Sequence, residues 1–248
     1  LDGFDITTIT SQTDTESTRI TDVDLTQFWY FNTTRPEEMD ILTQEVRFTS
    51  TTDSNLQWIF GAYMSDYERM MDSFLTFGPD ALGLGFVFAM PFEKIVEENT
   101  HNALFGNVSY EVDQWRYDIG LRYDKWEETE LNLDAETNGG IHSGKIDDTE
   151  TLPRVSITRT LDNGSIAYFT TSRGYEPGGL NNGVPYTDSN GNRLLGSFNK
   201  EEATQNELGW KGTIRDGRTS ISVAYFDIDY QDRAFQVVAP NPGGPGLI

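Results

Sequence analysis

Apolar and polar side chains alternate along much of this chain with a period of two. From Trp115 to Asp124 the odd positions are Trp115, Tyr117, Ile119, Leu121 and Tyr123, while the even ones are Arg116, Asp118, Gly120, Arg122 and Asp124. A strand sends successive side chains to opposite faces, so this run predicts a strand with one apolar and one polar face. Leu104, Val108, Tyr110 and Val112 share one parity against Phe105, Asn107, Ser109 and Glu111, and Asp113-Gln114 then reads as a hairpin turn. The same alternation runs through Leu42, Val46 and Phe48, through Leu56, Trp58, Phe60, Ala62 and Met64, and through Leu208, Trp210 and Ile214. Between Thr219 and Tyr230 the apolar set changes parity, from Ile221, Val223 and Tyr225 to Phe226, Ile228 and Tyr230. A bulge or burial on both faces accounts for that change.

About nine strands follow, near 4–16, 40–51, 56–70, 101–113, 114–127, 150–161, 165–176, 202–215 and 218–232. Their connections alternate in length. Thr52 to Asn55, Asp113-Gln114, Asp162-Asn163-Gly164 and Asp216-Gly217 are tight, whereas 17–39, 71–100, 128–149 and 177–201 are long. Soluble sandwiches and propellers have no reason to sort loop lengths by parity. Outer-membrane barrels do, with short periplasmic turns at one end and long extracellular loops at the other. Strands of about 11 to 15 residues exceed the five or six usual in globular sheets and match the roughly 9 to 11 that a tilted strand needs to cross a bilayer. The predicted fold is all-β, an antiparallel transmembrane β-barrel of the outer-membrane type. The apolar parity would face lipid, and Arg116, Asp118, Arg122 and Asp124 would line the lumen.

Composition narrows the function classes. The 40 Asp and Glu against 18 Lys and Arg leave a formal charge of −22, which argues against nucleic acid as a partner because phosphate neutralisation needs clustered cations. With no Cys, thiolate metal sites and cysteine nucleophiles are excluded. His101 and His142 are the only histidines, and no Ser sits in a Gly-x-Ser-x-Gly elbow, so no enzyme is expected. The longest nearly apolar run, Ala81 to Met90, is far short of the roughly 20 residues of a membrane helix.

Six segments in order resemble the barrel region of TonB-dependent outer-membrane receptors. Thr170-Thr171-Ser172-Arg173-Gly174-Tyr175-Glu176-Pro177-Gly178-Gly179-Leu180-Asn181 resembles that family's Y-S-K-G-Y-K-P-G-G-F-N, Asn206-Glu207-Leu208-Gly209-Trp210-Lys211 its Y-E-L-G-x-K, and Ala224 to Asp232 its A-x-F-x-x-D-Y-x-D. Upstream, Thr43 to Phe48, Leu56 to Tyr63 and Gly120-Leu121-Arg122-Tyr123 are similar to x-Q-E-x-R-L, W-x-x-G-x-Y and G-x-R-Y. The resemblance implies a plugged barrel of about 22 strands. Nine strands would be an internal piece of it, with 1–248 forming part of one barrel domain and the plug domain and final strands not present. It further implies a Gram-negative outer-membrane receptor that imports a scarce nutrient, most commonly a ferric siderophore. Energy would come from a TonB-type protein of the inner membrane, through a region outside this chain. A passive porin-like or structural adhesin barrel is the competing class. No cofactor is expected.

The candidate ligand-binding residues are Arg173, Tyr175, Asn181 and Asn182, which begin a long loop and combine a cation, an aromatic ring and amides, and the aromatic Trp29 and Tyr30 of the first long loop. Alternatively, the Gly-Pro-Gly-Gly run merely shapes a strand exit, and Trp29 and Tyr30 pack on a neighbouring loop. The acidic loop with Glu127, Glu128, Glu130, Asp134, Glu136, Asp147, Asp148 and Glu150 offers clustered carboxylates to calcium or a cationic ligand, but its spacing follows no ligand pattern and the first reading is a solvated loop; Asp188 to Asn192 reads as a tight turn.

Overall fold

The computed structural model describes residues 3–83, 85–132, 143–180, 197–214 and 218–234. Nine long strands form one antiparallel sheet: β1 (Phe4–Asp22), β2 (Phe31–Ser50), β3 (Leu56–Phe77), β4 (Phe88–Val112), β5 (Trp115–Asn132), β6 (Ser143–Thr160), β7 (Ile166–Glu176), β10 (Glu201–Ile214) and β11 (Thr219–Gln231). Each pairs with its neighbour in sequence, except that β7 pairs with β10 across a two-stranded ribbon of β8 (Gly179–Leu180) and β9 (Ser197–Phe198). Because consecutive strands are antiparallel neighbours, the short connections lie at one end of the sheet and the long ones at the other.

The tight turns are built by local chemistry. Val112 pairs with Trp115 across Asp113-Gln114, where Asp113 takes a left-handed φ of 54°. In the next turn Gly164 has φ 78°, its N–H donates to the Leu161 carbonyl, and the Asn163 side chain accepts from the Ser165 N–H. Gln114 donates to Asp162 at 2.7 Å and ties the two turns together. The Asp216-Gly217 turn lies outside the described residues.

The two parities of β5 differ in exposure. Ile119 is 61% and Leu121 54% exposed, whereas Asp124 on the other parity is 2% exposed. Outward side chains form an apolar belt through Leu56 to Met64 on β3, Leu104 to Val112 on β4 and Trp115 to Tyr123 on β5. Glycines let aromatic rings lie flat on both faces: Phe60 covers its cross-strand partner Gly106, and Phe105 covers Gly61. The register between β10 and β11 is unbroken from Glu202↔Gln231 to Ile214↔Thr219. No bulge therefore explains the parity change in β11, which carries apolar groups on both faces.

Strand boundaries differ from the sequence-based ones mainly at the long-loop end. β1 runs to Asp22, β2 starts at Phe31, β3 continues to Phe77 and β4 begins at Phe88. These extensions lie beyond the apolar belt, where side chains on both faces meet water and the period-two signal fades. Just above the belt, Asp14 pairs with Asp40, Asp40 with Glu68 and Glu68 with Glu98, so exposed carboxylates stand side by side across four strands. Like charges placed directly opposite destabilise a sheet. The Asp40 carboxyl is accordingly held above its ordinary range, first by its hydrogen bond with Asp14 and then by desolvation and the charges of Asp14, Glu68 and Glu38.

Three outcomes follow from this arrangement. With no native Cys, Gln27→Cys in the first long connection should react with a membrane-impermeant maleimide on intact cells, while Asp53→Cys in a short turn should not. Ile119→Arg, which points outward, should cost about 2–4 kcal/mol in folding titrations into bilayers. Asp40→Asn should raise the temperature of heat modifiability at neutral pH. A raised folded-state pKa penalises the ionised form, so that gain should shrink as acidification protonates Asp40 in the parent protein.

Candidate functional site

The polar face of the sheet changes character above the apolar belt. Within the belt, Arg116 is half exposed and donates to Asp118 at 3.0 Å and to Glu111 at 3.0 Å, while the Ser109 hydroxyl also donates to Asp118. At the top of the belt Arg122 forks onto Asp124, with Nε 2.9 and 3.0 Å from the two carboxylate oxygens. The same carboxylate meets His101 Nε2 at 2.8 Å. Two nitrogen bases thus satisfy a buried carboxylate, and Arg122 also lies over the rings of Tyr63 and Phe105 at 5.8 and 5.9 Å. The His101 ring packs edge-on against Tyr63.

What lies above this cluster depends on Pro153. The β6–β7 ladder stops at Arg154↔Ser172, one residue short of Pro153, which has no N–H to contribute. Freed from β6, the end of β7 and the ribbon after it fold across the polar face. Gly178 lies against the backbone of Phe198 to Lys200, and Leu180 sits over Gly144 with its N–H donated to the Glu128 carboxylate. This strap is held by ions. Arg173 pairs with Glu202 and reaches Glu150 at 3.5 Å, while Lys200 contacts Glu150 at 2.7 Å, Asp148 at 3.1 Å and Glu202 at 3.8 Å.

Between strap and wall is a cavity of about 520 Å³. Ile41, Ser65, Tyr67, Glu97, Asn99, His101 and Trp126 line it from β2 to β5, and Tyr175 with Pro177 from the strap. By strict alternation Tyr175 would share the outward face of Phe169. The departure of β7 from β6 brings it to the polar side instead. Burial, then the charge of Asp124, pushes the Tyr175 phenol up to about 12. Burial and the charge of Glu97 likewise raise Tyr67 and Glu128. The phenols therefore stay protonated near neutrality and act as hydrogen-bond donors.

The structure treats the sequence candidates differently. It brings Tyr175 into the cavity beside His101. Arg173 is adjacent, but its charge is already matched by Glu202 and Glu150, and with Thr204, Asp229 and Gln231 it lines a separate cleft of about 290 Å³. Trp29 packs on the neighbouring loop: its ring and carbonyl occupy the space over Gly78, and its N–H donates to Asp80 at 2.9 Å. Tyr30 meets Phe28 at 5.8 Å. Asn181, Asn182, His142, Asp134, Glu136 and Asp188 to Asn192 lie outside the described residues. Tyr67, Glu97, Asn99 and Trp126 were not singled out from sequence, since each strand contributes one or two of them. The signal for Trp126 was its parity, polar-face like Asp124, beyond Tyr123 where outward residues turn to Lys125 and Glu127.

An unbroken antiparallel sheet with an outward apolar belt, a polar inner face and long loops at one end is the wall of an outer-membrane β-barrel. Residues 2–247 match the family described as TonB dependent receptor-like, beta-barrel, and the chain belongs to that family. Its members are transport receptors of the Gram-negative outer membrane rather than enzymes. A probable TonB-dependent siderophore receptor, PiuA of Acinetobacter baumannii, is 28% identical over 150 residues, 60% of this chain and 20% of the relative. Among solved structures, the ferric yersiniabactin uptake receptor FyuA of Yersinia pestis superposes with a TM-score of 0.67 at 18% identity, covering 96% of this chain and 35% of that one. The A. baumannii receptor PiuA gives 0.63 at 17% identity, covering 91% and 38%. The chain thus spans well under half the length of these relatives.

The two polar-face arginines should respond differently to neutralisation. Arg122→Gln leaves Asp124 buried with His101 alone and should cost about 3 kcal/mol in urea titrations of the folded barrel. Arg116→Gln, at a half-exposed pair, should cost less than about 1 kcal/mol.

Proposed function

We propose that this chain is part of a receptor that binds a ferric siderophore at the cell surface and imports it across the outer membrane. The observation that carries this reading is the cavity beneath the strap, above the lipid belt and of a size suited to a small molecule. Its rings offer stacking surface, and the hydroxyls of Tyr67, Tyr175 and Ser65 with the Asn99 amide offer hydrogen bonds to amide, hydroxyl and chelating oxygens. The cargo crosses chemically unchanged. Among the described residues the one histidine, His101, is held by Asp124 rather than aimed at a serine hydroxyl, so the reading contains no catalytic step.

Among the described residues β1 and β11 each have one neighbour in the sheet, which supports reading the nine strands as an arc of a larger barrel. Energy enters through a TonB-type inner-membrane protein that engages a region of the receptor other than this wall, while the outward belt contacts outer-membrane lipid.

Cells that depend on this receptor should take up radiolabelled ferric siderophore saturably, and a protonophore should stop the uptake. Uptake that is linear in concentration and indifferent to the protonophore would identify a passive pore instead. In binding isotherms, Trp126→Ala should weaken cargo by about 1.5–3 kcal/mol through lost buried apolar surface, and Tyr175→Phe by about 0.5–1.5 kcal/mol through one lost hydrogen bond. Arg173→Ala should do less than either. A heat-modifiability gel would confirm that each variant is folded.

A further inference from the structure

We infer that the cavity selects ferric complexes without net negative charge, of the neutral or cationic hydroxamate kind, and rejects polyanionic complexes of the tris-catecholate kind. The inference rests on the siderophore-receptor reading and specifies its cargo by charge.

Chelate complexes of high negative charge need unpaired Lys or Arg, because a carboxylate already bound to a cation cancels most of its field at short range. The cations beside the lining residues are engaged, while Arg35, whose Nε is buried without a partner, stands six residues along β2 from the lining Ile41. Arg69 lies between Glu97 at 2.9 Å and Glu37 at 3.4 Å. Arg122 is forked onto Asp124. Arg173 and Lys200 share Asp148, Glu150 and Glu202. No Lys or Arg is among the described residues that line the cavity, whereas Glu97 is.

Carboxylates outnumber these four cations, and Glu128, which accepts from the Leu180 N–H and lies near enough to Glu97 to feel its charge, adds one more on the same face. Burial first, and then the charges of Glu97 and Asp124, hold Glu128, Tyr67 and Tyr175 above their ordinary ranges, in keeping with a half-buried space where a further negative charge is costly. Lining groups instead suit a complex with no surplus negative charge. The phenols of Tyr67 and Tyr175 donate, Glu97 accepts from an amide or ammonium, and the Trp126 face can receive a methylene chain or a cation. Strap and wall together close around a cargo that adds no anion to an already acidic mouth.

The test uses the intact receptor in outer membranes, with two iron-55 probes: ferric desferrioxamine B, a cationic trihydroxamate, and a synthetic trianionic ferric tris-catecholate. The trihydroxamate should bind at least about tenfold more tightly at low ionic strength, and the preference should shrink as salt rises. Glu97→Gln should narrow the preference several-fold and Asn99→Asp should widen it, with both variants folded by heat modifiability. Equal or tighter binding of the trianion overturns the charge inference while leaving the receptor reading in place. Preference that fails to move in opposite directions in the two variants also overturns it. If neither probe binds and uptake of ferric siderophores from iron-starved culture fluid is absent too, the receptor reading itself falls.

Discussion

The constraint on which the rest of this structure depends is that a backbone N–H or C=O cannot be left without a partner in hydrocarbon. It requires an uninterrupted ladder wherever lipid touches the wall. The register is continuous through the apolar belt in every pair from β1 to β5, and the one irregularity between β3 and β4, at Ser73 and Phe74, lies well above it. An unbroken register also preserves the two-residue period, because a slip of one residue would turn Ile119 and Leu121 inward and Asp118 outward. Backbone satisfaction and face chemistry are therefore one constraint. The exception is the β6–β7 pair, whose ladder ends at Arg154↔Ser172, level with Gly120 on β5; beyond it β7 parts from β6 and becomes the strap.

That release is where wall becomes site. A straight continuation of β7 would have left Tyr175 outward and Trp126 open to the lumen. With the strap folded in, Trp126 is 6% exposed and Glu150 7%. Burying Glu150 and Asp124 in a chain this acidic is tolerable because each is met by two basic side chains, Arg173 with Lys200 and Arg122 with His101. Such pairs fix geometry more than they add stability, since desolvation offsets much of the attraction. Their structural effect is to hold the roof of the cavity at a set distance from its floor while consuming the local positive charge.

How much of this was legible in the sequence follows from the same physics. Lipid enforces alternation, so the strands and the tight turns at Asp113 and Gly164 could be read directly. Above the lipid, water serves both faces, and β4 extends from 101 back to 88, paired with β3 at every residue but the one at the irregularity, with no periodicity to announce it. Trp29 was open between ligand stacking and loop packing. Its position over Gly78 could not be read locally, because the two residues belong to different connections. Tyr175 was legible as a candidate through its motif, whereas the neutralisation of Arg173 depends on Glu202 and Glu150, distant in sequence and set by register. The cavity lining was least legible, since Tyr67, Asn99 and Trp126 become neighbours only when three strands align.

The acid ladder from Asp14 to Glu98 and the paired cations of the mouth show charge being handled in two ways at the same height of one wall. On the outer face, carboxylates stand opposite one another in open solvent, where water and salt screen them and the cost is spread over four exposed groups. On the inner face, partly shielded by the strap, screening is weaker, and the buried Asp124 and Glu150 have basic partners instead. The difference follows from dielectric rather than from composition, since both faces draw on the same excess of acid. It also determines what the inner face can recognise. Arg69, Arg122, Arg173 and Lys200 are taken up by the wall's own carboxylates and no Lys or Arg is among the described residues lining the cavity, so recognition there falls to rings, hydroxyls and amides.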